Sequence, residues 1–176
     1  QEFNVTLPTA PTPFNKFPDA LAADGDSIYL DPRYVEYDYE AELVAVIGKT
    51  ARNVSEEEAL DYVFGYTCGN DLSTRDLQFV RTNQWLLSKT FDGFAPLGPC
   101  VVTADSLDPS ELQVCSRVNG ELRQNGNTHR IVSRELRLCK HRVQRRDHFP
   151  QQRIGCNTAG KNHRQTRISF QRLLRS

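Results

Sequence analysis

The hydrophobic pattern is clearest over residues 39–48, which read Tyr-Glu-Ala-Glu-Leu-Val-Ala-Val-Ile-Gly. Alternate side chains of a β-strand point to opposite faces, so one face carries Glu40, Glu42 and two valines, while the other carries only apolar residues. Apolar residues on both faces predict a strand that is buried on both sides. The two carboxylates then lie roughly 6 to 7 Å apart along the start of this strand.

Two carboxylates in a buried strand need compensation, because burying one unpaired carboxylate costs several kcal/mol and two neighbouring ones repel each other. The pattern favours a divalent cation between Glu40 and Glu42. The alternative is that both lie on a solvated face, together with Glu36 and Asp38. A third carboxylate, Asp71, follows another strand-like segment, and a few carboxylates beside water are the usual ligands of Mg²⁺. The remaining coordination positions of such an ion could receive a chelating substrate and polarise its carbonyl.

The remaining pattern predicts a strand-rich domain with one clear helix and one short one. Prolines keep residues 3–20 extended, and a turn at residues 23–26 precedes a strand over 27–30. Ser55, followed by three glutamates, predicts the N-cap of a helix that ends at Gly65. Strands follow over residues 66–71 and 99–103. Residues 112–122 predict a hairpin with Asn119-Gly120 as its turn, and residues 125–127 predict a further turn.

Two further segments contain the residue types that a reaction centre uses. Asp71, Arg75 and Gln78 have helical spacing, so one turn would point all three the same way. Lys89 lies beside a loop that follows Trp85, and it either stabilises a developing oxyanion or is a surface lysine.

Composition divides the chain near Thr128. Residues 1–128 contain 20 acidic and 9 basic residues, whereas residues 129–176 contain 2 acidic and 13 basic residues and all four histidines. The basic segment could bind phosphates, but it lacks the aromatic pattern of nucleic-acid modules. Its histidines are irregularly spaced among arginines, which favours a solvated basic segment over a metal site.

The five cysteines have no short paired spacing, which argues against a zinc ribbon or a disulfide framework and favours a reducing compartment. No apolar run approaches the ~20 residues of a membrane-spanning helix, and no signal peptide is visible. We therefore expect a cytoplasmic protein, with a mitochondrial location left open because the chain begins at Gln1.

Five segments follow one another in an order that resembles the fumarylacetoacetate hydrolase family, in its fumarylacetoacetase C-terminal-like domain. The likeness runs from about residue 2 to residue 128, and the motifs together are highly specific. The segments are Tyr-Glu-Ala-Glu-Leu with Ile-Gly-Lys at 39–49, Gly-Asn-Asp-Leu-Ser-Thr-Arg-Asp-Leu-Gln at 69–78, Trp-Leu-Leu-Ser-Lys with Phe-Asp and Pro-Leu-Gly-Pro at 85–99, Val-Asn-Gly-Glu at 118–121, and Gln-Asn-Gly-Asn-Thr at 124–128.

The resemblance implies an α+β, mostly β fold, the mixed β-roll of this family, incomplete at both ends of this chain. It implies Mg²⁺ or Mn²⁺ held by Glu40, Glu42 and Asp71, with a 2-oxo acid or acylpyruvate as substrate. The expected reaction is C–C bond hydrolysis, or the related decarboxylation or isomerisation. The remaining implied site residues are the catalytic Glu2 and Lys89 and the substrate-binding Lys16, Arg75 and Gln78.

In this family a histidine three residues before the residue matching Glu2 completes the proton-moving pair, and here it would lie before Gln1. We expect residues 1–128 to form a truncated catalytic-type domain. Residues 129–176 do not match the family and are expected to be a poorly ordered basic tail, as a reading-frame shift or aberrant splice would produce. Such a chain is expected to be marginally stable and inactive in this truncated form, and the missing segments argue against the homodimer usual in the family. The competing hypothesis is a non-catalytic protein whose basic tail contacts nucleic acid or an acidic partner.

Overall fold

The computed structural model describes residues 13–81, 84–130 and 154–155. Its strands are β1 (Leu21–Ala23), β2 (Tyr37–Asp38), β3 (Ala41–Ile47), β4 (Val63–Asn70), β5 (Ser73–Thr74), β6 (Ala95–Thr103), β7 (Gln113–Val118), β8 (Glu121–Asn127) and β9 (Ile154–Gly155). The single α-helix of the described part, α1, is Trp85–Lys89, and Asp76–Arg81 forms a π-helical turn. Short 3-10 turns are Pro18–Ala20, Ala59–Tyr62, Ala104–Ser106, Pro109–Glu111 and Thr128–Arg130.

The main sheet has five strands in the order β1-β6-β4-β3-β9. The β1–β6 pair is parallel, whereas β3 pairs antiparallel with both β4 and β9, so the sheet is mixed. Two small antiparallel pairs, β2–β5 and β7–β8, complete the strand inventory of the described residues. The expected α+β, mostly β class is confirmed.

Two apolar clusters lie beside the strands. One contains Ile28, Leu30, Leu72 and Phe94, and it packs the chain before β2 against the segments that follow β4 and α1. The other contains Leu43 of β3, Tyr66 of β4 and Leu112. Burial of these side chains from water is the main favourable term that holds the strands together.

The strand predicted over residues 39–48 is confirmed as β3, with strands on both of its edges. Ala41 and Leu43 are buried on one face and Val44 on the other. The predicted hairpin is also confirmed, because Asn119 and Gly120 join β7 to β8 with positive φ angles of 52° and 85°. Positive φ at both positions is what a type I′ turn requires.

The helix predicted from Ser55 to Gly65 is wrong. Its N-terminal cap forms, since the Glu58 amide donates to Ser55 Oγ at 3.3 Å and the Ser55 hydroxyl donates to Glu58 Oε2 at 3.0 Å. Only the turn Ala59–Tyr62 follows, and the chain enters β4 at Val63. Pairing with β3 and β6 outweighs the local helical pattern here, and the β-branched and aromatic residues Val63 and Phe64 favour a strand.

Two smaller predictions also fail. Residues 27–30 do not form a strand, and the strand of this region, β1, lies earlier at Leu21–Ala23. The alternation of Ile28 and Leu30 reports their burial in an apolar cluster, not a ladder of hydrogen bonds. Residues 125–127 are not a turn but the end of β8, where Gly126 pairs with Val114.

Within the described residues, no helix is long and apolar enough to cross a membrane. Cys68, Cys100 and Cys115 are free thiols. Residues 3–12 of the predicted extended segment lie outside the described part, as does nearly all of the predicted basic tail.

We expect Gly65→Ala to destabilise the fold by about 1–3 kcal/mol, the usual cost of overpacking. A Cβ at Gly65 would lie 2.4 Å from the backbone oxygen of Val102, so β4 and β6 would have to separate. Urea unfolding of the full chain measures the change. Gly126→Ala is the matched control, because a Cβ there meets Val114 Cβ only at 4.0 Å. Equal loss of stability in both variants would contradict the predicted clash.

Candidate metal centre

The antiparallel pairing of β3 and β4 brings the start of one strand against the end of the other. Ala41 lies opposite Asn70, so Glu40, just before β3, and Asp71, just after β4, become neighbours. The Asp71 amide donates to the Glu40 carbonyl at 2.8 Å. The Glu40 amide donates to Asn70 Oδ1 at 3.0 Å. Glu42 follows two residues after Glu40, on the same side of β3.

Three carboxylates converge at this end of the sheet. One oxygen atom from each of Glu40, Glu42 and Asp71 lies within 4.8 Å of the other two. Asp71 is buried, with 6% of its surface exposed, and the two glutamates are half-buried. The alternative of a freely solvated acidic face is therefore wrong for this cluster.

Lys89 lies against two of these carboxylates. It is the last residue of α1 and is only 2% exposed, so the alternative of a surface lysine is wrong. Its Nζ donates to Glu40 Oε2 at 2.5 Å, to Asp71 Oδ2 at 2.7 Å and to Ser73 Oγ at 2.7 Å. The Phe14 ring centroid is 4.8 Å from the same ammonium, a distance suited to a cation–π contact. The hydroxyl of Ser73, itself fully buried, thus shares in fixing the ammonium.

Lys16 approaches Asp71 from the opposite oxygen. Its Nζ lies 2.6 Å from Asp71 Oδ1 and donates to the carbonyls of Leu72 and Phe94 at 2.9 and 2.7 Å. These contacts tie the segment before β1 to the residues on either side of the site. Lys16 therefore both neutralises Asp71 and fixes two loops of the chain.

Arg75 connects Glu40 to two neighbouring polar residues, Asp38 and Gln78. Its guanidinium donates to Glu40 Oε1 at 2.7 Å and to Asp38 Oδ2 through Nε at 3.0 Å and Nη2 at 2.9 Å. It also donates to Oε1 of Gln78, which is 2% exposed. Glu40 and Asp71 thus each pair with two cationic side chains.

Burial and neighbouring charges shift the pKa values of the site residues in opposite directions. Burial raises the pKa of Asp71 above its ordinary value, and the charges of Lys16 and Lys89 only partly offset this effect. Burial likewise acts to raise the pKa of Glu40, but Lys89 and Arg75 together outweigh it, so that this pKa lies below its ordinary value. Burial also lowers the pKa of Lys16, and the neighbouring Asp71 opposes that change only in part.

The donor set fits a hard divalent ion. Its ligand atoms are carboxylate oxygens, which suit Mg²⁺, Mn²⁺ or Ca²⁺. Oδ1 of Asp71 is buried and lies 2.6 Å from the Lys16 ammonium, so this oxygen is already paired with a cationic side chain.

The structure brings seven of the eight predicted site residues into one cluster, linked by the contacts described above, and the eighth, Glu2, lies outside the described residues. The predicted single turn that carries Asp71, Arg75 and Gln78 is wrong in part. Ser73–Thr74 is a strand, so only Arg75 and Gln78 share the following turn. Asp71 reaches the same place because it ends the β4 pairing with β3.

Sequence reasoning did not assign a role to several residues that hold this cluster or the strand beside it. Ser73 holds Lys89, and Asp38 holds Arg75. Gln124, from β8, accepts hydrogen bonds from the Ala41 amide at 2.9 Å and the Ser116 hydroxyl at 3.0 Å, which joins the hairpin to β3. The sequence could have indicated Asp38, because Asp38, Glu40 and Glu42 are alternate residues of one segment. Ser73 and Gln124 lie within the family-like segments 69–78 and 124–128, but nothing in their spacing distinguishes them from their neighbours.

Comparison with known proteins agrees with this arrangement. The sequence profile described as "Fumarylacetoacetate (FAA) hydrolase C-terminal" matches residues 1–146, past the boundary at residue 128 that the motifs indicated. The chain is 48% identical over 133 residues to the mitochondrial oxaloacetate tautomerase of Xenopus laevis, covering 74% of this chain and 42% of that protein. It is 46% identical over 134 residues to a mitochondrial oxaloacetate tautomerase of Homo sapiens, covering 75% of this chain and 43% of that protein.

Solved structures show the same likeness. A 5-carboxymethyl-2-hydroxymuconate delta-isomerase from Mycobacterium smegmatis superposes with a TM-score of 0.75 at 32% identity, covering 88% of this chain and 61% of that one. A fumarylacetoacetate hydrolase from Exiguobacterium antarcticum gives a TM-score of 0.72 at 35% identity, covering 82% and 52%. The chain spans less than half the length of the curated relatives described above. By sequence, by fold and by the order of its motifs, this chain belongs to the fumarylacetoacetate hydrolase family.

Proposed function

We propose that this chain is the catalytic part of a divalent-metal-dependent enzyme that moves a proton on a 2-oxo acid. The reaction we assign first is enol–keto tautomerisation of oxaloacetate or a similar 2-oxo dicarboxylate. The observation that carries the proposal is the convergence of three carboxylates and three cationic side chains at the β3–β4 end. The names of the sequence relatives supply the substrate.

Glu40, Glu42 and Asp71 would hold the metal ion, Mg²⁺ or Mn²⁺. When bound, such an ion supplies Lewis-acid polarisation of the substrate carbonyl. The half-buried position of the carboxylates supports this assignment, because charge interactions strengthen where water is partly excluded.

Lys89 would donate a hydrogen bond to the oxygen that becomes negative in the enolate, which lowers the barrier to proton transfer. Its burial beside the carboxylates supports this role. Its three N–H groups are donated to Ser73, Glu40 and Asp71, so one of these bonds would be exchanged for a bond to the substrate oxygen. Lys16 and Gln78 would line the substrate site. The resemblance assigns the proton transfer itself to Glu2, which lies outside the described residues.

A second candidate reaction is hydrolysis of a C–C bond in an acylpyruvate. It is favoured by the likeness to two hydrolases, the fumarylacetoacetate hydrolase above and a maleylpyruvate hydrolase from Sphingobium sp. SYK-6, which is 33% identical with a TM-score of 0.66. Tautomerisation and hydrolysis both pass through a stabilised enolate, so the same carboxylates and lysine would serve either reaction.

The division of the chain at residue 128 stays a proposal. The charge reversal supports it, since the acidic excess of residues 1–128 equals the basic excess of the rest. A non-catalytic protein with a basic binding tail is the competing proposal, and it does not account for the convergent carboxylates. We also propose a mitochondrial location, which the names of the relatives support against the cytoplasmic one expected from the sequence.

Incubation of the full chain with Mg²⁺ and freshly dissolved enol-oxaloacetate tests the assigned reaction. We expect faster loss of the enol absorbance while the total oxaloacetate concentration stays constant, because tautomerisation breaks no carbon–carbon bond. Acetylpyruvate in a parallel assay tests the second reaction through release of pyruvate. Pyruvate release without faster enol decay would reverse the order of the two candidates. No change in either assay would contradict both.

Glu42→Gln should weaken Mn²⁺ binding by at least about 10-fold, because losing one anionic ligand costs no less than losing an outer partner of a ligand. Isothermal titration of Mn²⁺ into the metal-free full chain measures the dissociation constant. Glu36→Gln is the control, since Glu36 is an exposed carboxylate of the preceding segment. Equal dissociation constants for the wild type and Glu42→Gln would remove the proposed metal site.

Lys89→Met should lower kcat of whichever reaction is found by roughly 10²–10³-fold, the usual effect of removing one oxyanion donor. Steady-state assays at saturating Mn²⁺ measure this change. Lys49→Met is the matched control, because Lys49 is exposed and lies beyond the opposite end of β3. A kcat within about twofold of the wild type, a difference of well under 1 kcal/mol, would exclude Lys89 from the proposed role.

A further inference from the structure

The small pair β2–β5 places a carboxylate beside Arg75 that the proposed reaction does not use. Its register sets Tyr37 opposite Thr74 and Asp38 opposite Ser73. The Arg75 amide then donates to the Glu36 carbonyl at 2.7 Å. Backbone pairing therefore holds Asp38 and Arg75 near each other. Asp38 is two residues before Glu40, and Arg75 is four residues after Asp71.

Asp38 accepts hydrogen bonds from two nitrogen atoms of the Arg75 guanidinium. Its Oδ2 accepts hydrogen bonds from Nε at 3.0 Å and from Nη2 at 2.9 Å. The same Nη2 donates to Glu40 Oε1 at 2.7 Å. The guanidinium thus joins a carboxylate outside the metal cluster to one inside it. The side chain of Arg75 is 12% exposed, and those of Asp38 and Glu40 are 30% and 28% exposed.

The other contacts of Arg75 fix it further. Nη1 donates to Gln78 Oε1, and the Phe79 ring centroid lies 5.7 Å from Cζ. A guanidinium has five N–H groups in a rigid planar fork. Asp38, Glu40 and Gln78 together accept hydrogen bonds from all three of its nitrogen atoms, which holds the fork in one orientation.

We propose that Asp38 and Arg75 are a positioning pair for Glu40: Asp38 fixes the guanidinium of Arg75, and that guanidinium fixes the Glu40 carboxylate toward Glu42 and Asp71. The inference rests on the proposed metal-dependent function. It adds a positioning role to the substrate-binding role that the family resemblance implies for Arg75. Partners of this kind set the rotamer of a ligand and commonly change metal affinity by about 10–100-fold.

Metal affinity of the full chain is the direct readout, measured by titration of Mn²⁺ alone. Asp38→Asn should raise the Mn²⁺ dissociation constant by about 10-fold. Asp31→Asn is the matched control. Asp31 also holds an arginine through two nitrogen atoms, Nε and Nη2 of Arg33, but this pair does not touch the metal carboxylates.

A double-mutant cycle tests whether Asp38 acts through Arg75. Arg75→Gln should weaken Mn²⁺ binding at least as much as Asp38→Asn, and the double variant should be no weaker than Arg75→Gln alone. Additive losses would show that Asp38 acts independently of Arg75 and would overturn the inference. A rise in KM without a change in Mn²⁺ affinity in Arg75→Gln would also overturn it, because that result identifies a substrate ligand.

Arg75→Lys keeps the experiment decisive if the neutral variants do not fold. It preserves the positive charge, but an ammonium cannot reproduce the rigid fork that spans Asp38 and Glu40. We expect Mn²⁺ binding several-fold weaker than in the wild type, with an unchanged thermal unfolding midpoint in metal-free buffer. If Arg75→Lys bound Mn²⁺ as tightly as the wild type, the positioning inference would be overturned but the proposed metal-dependent function would not. Absence of Mn²⁺ binding by the wild type would instead overturn the proposed metal-dependent function, and the inference with it.

Discussion

The carboxylates of Glu40, Glu42 and Asp71 repel one another in a place that is largely shielded from water, and the surrounding structure is arranged to offset that repulsion. The ammonium of Lys89 bridges two of them, Lys16 neutralises the other oxygen of Asp71, and Arg75 holds Glu40. Leaving a buried charge without its partner typically costs roughly 3–5 kcal/mol. These ion pairs therefore bind the segment before β1, the π-helical turn and α1 to the ends of β3 and β4.

The carboxylates meet because of backbone pairing. The register that sets Ala41 opposite Asn70 places Glu40 beside Asp71, and the amide–carbonyl bond between those two residues continues the ladder by one step. A shift of one residue would turn Glu40 and Glu42 to the opposite face. Burial of Leu43 and Val44 on opposite faces opposes such a shift. The same hydrophobic contacts that stabilise the sheet thus also fix the geometry of the proposed metal site.

The positioning pair extends this arrangement outward from the ligands. Asp38 lies in β2, and its partner strand β5 immediately precedes Arg75, so a two-residue ladder sets the distance between them. Lys89 is held in a comparable way, since the buried hydroxyl of Ser73 shares its ammonium with the carboxylates. In both cases a short polar side chain on the small β2–β5 pair orients a cation against the main sheet. Precise orientation of this kind is what a proton-transfer site needs, because misplacement by 1 Å can cost about 10²-fold in rate.

Local sequence patterns were enough to predict the strand at β3, the hairpin turn at Asn119-Gly120, the grouping of the three carboxylates and the family. Each depends on local information: alternation of side chains, the φ angles that Asn and Gly tolerate, and residue types in a fixed order. Tertiary structure decided the outcome where local and global preferences conflict. The capping box at Ser55 is complete, yet the helix does not continue, because the chain pairs with β3 from Val63 and with β6 from Gly65. It also decided that Lys89 is buried and that Arg75 faces Asp38, since both depend on contacts between residues far apart in the chain.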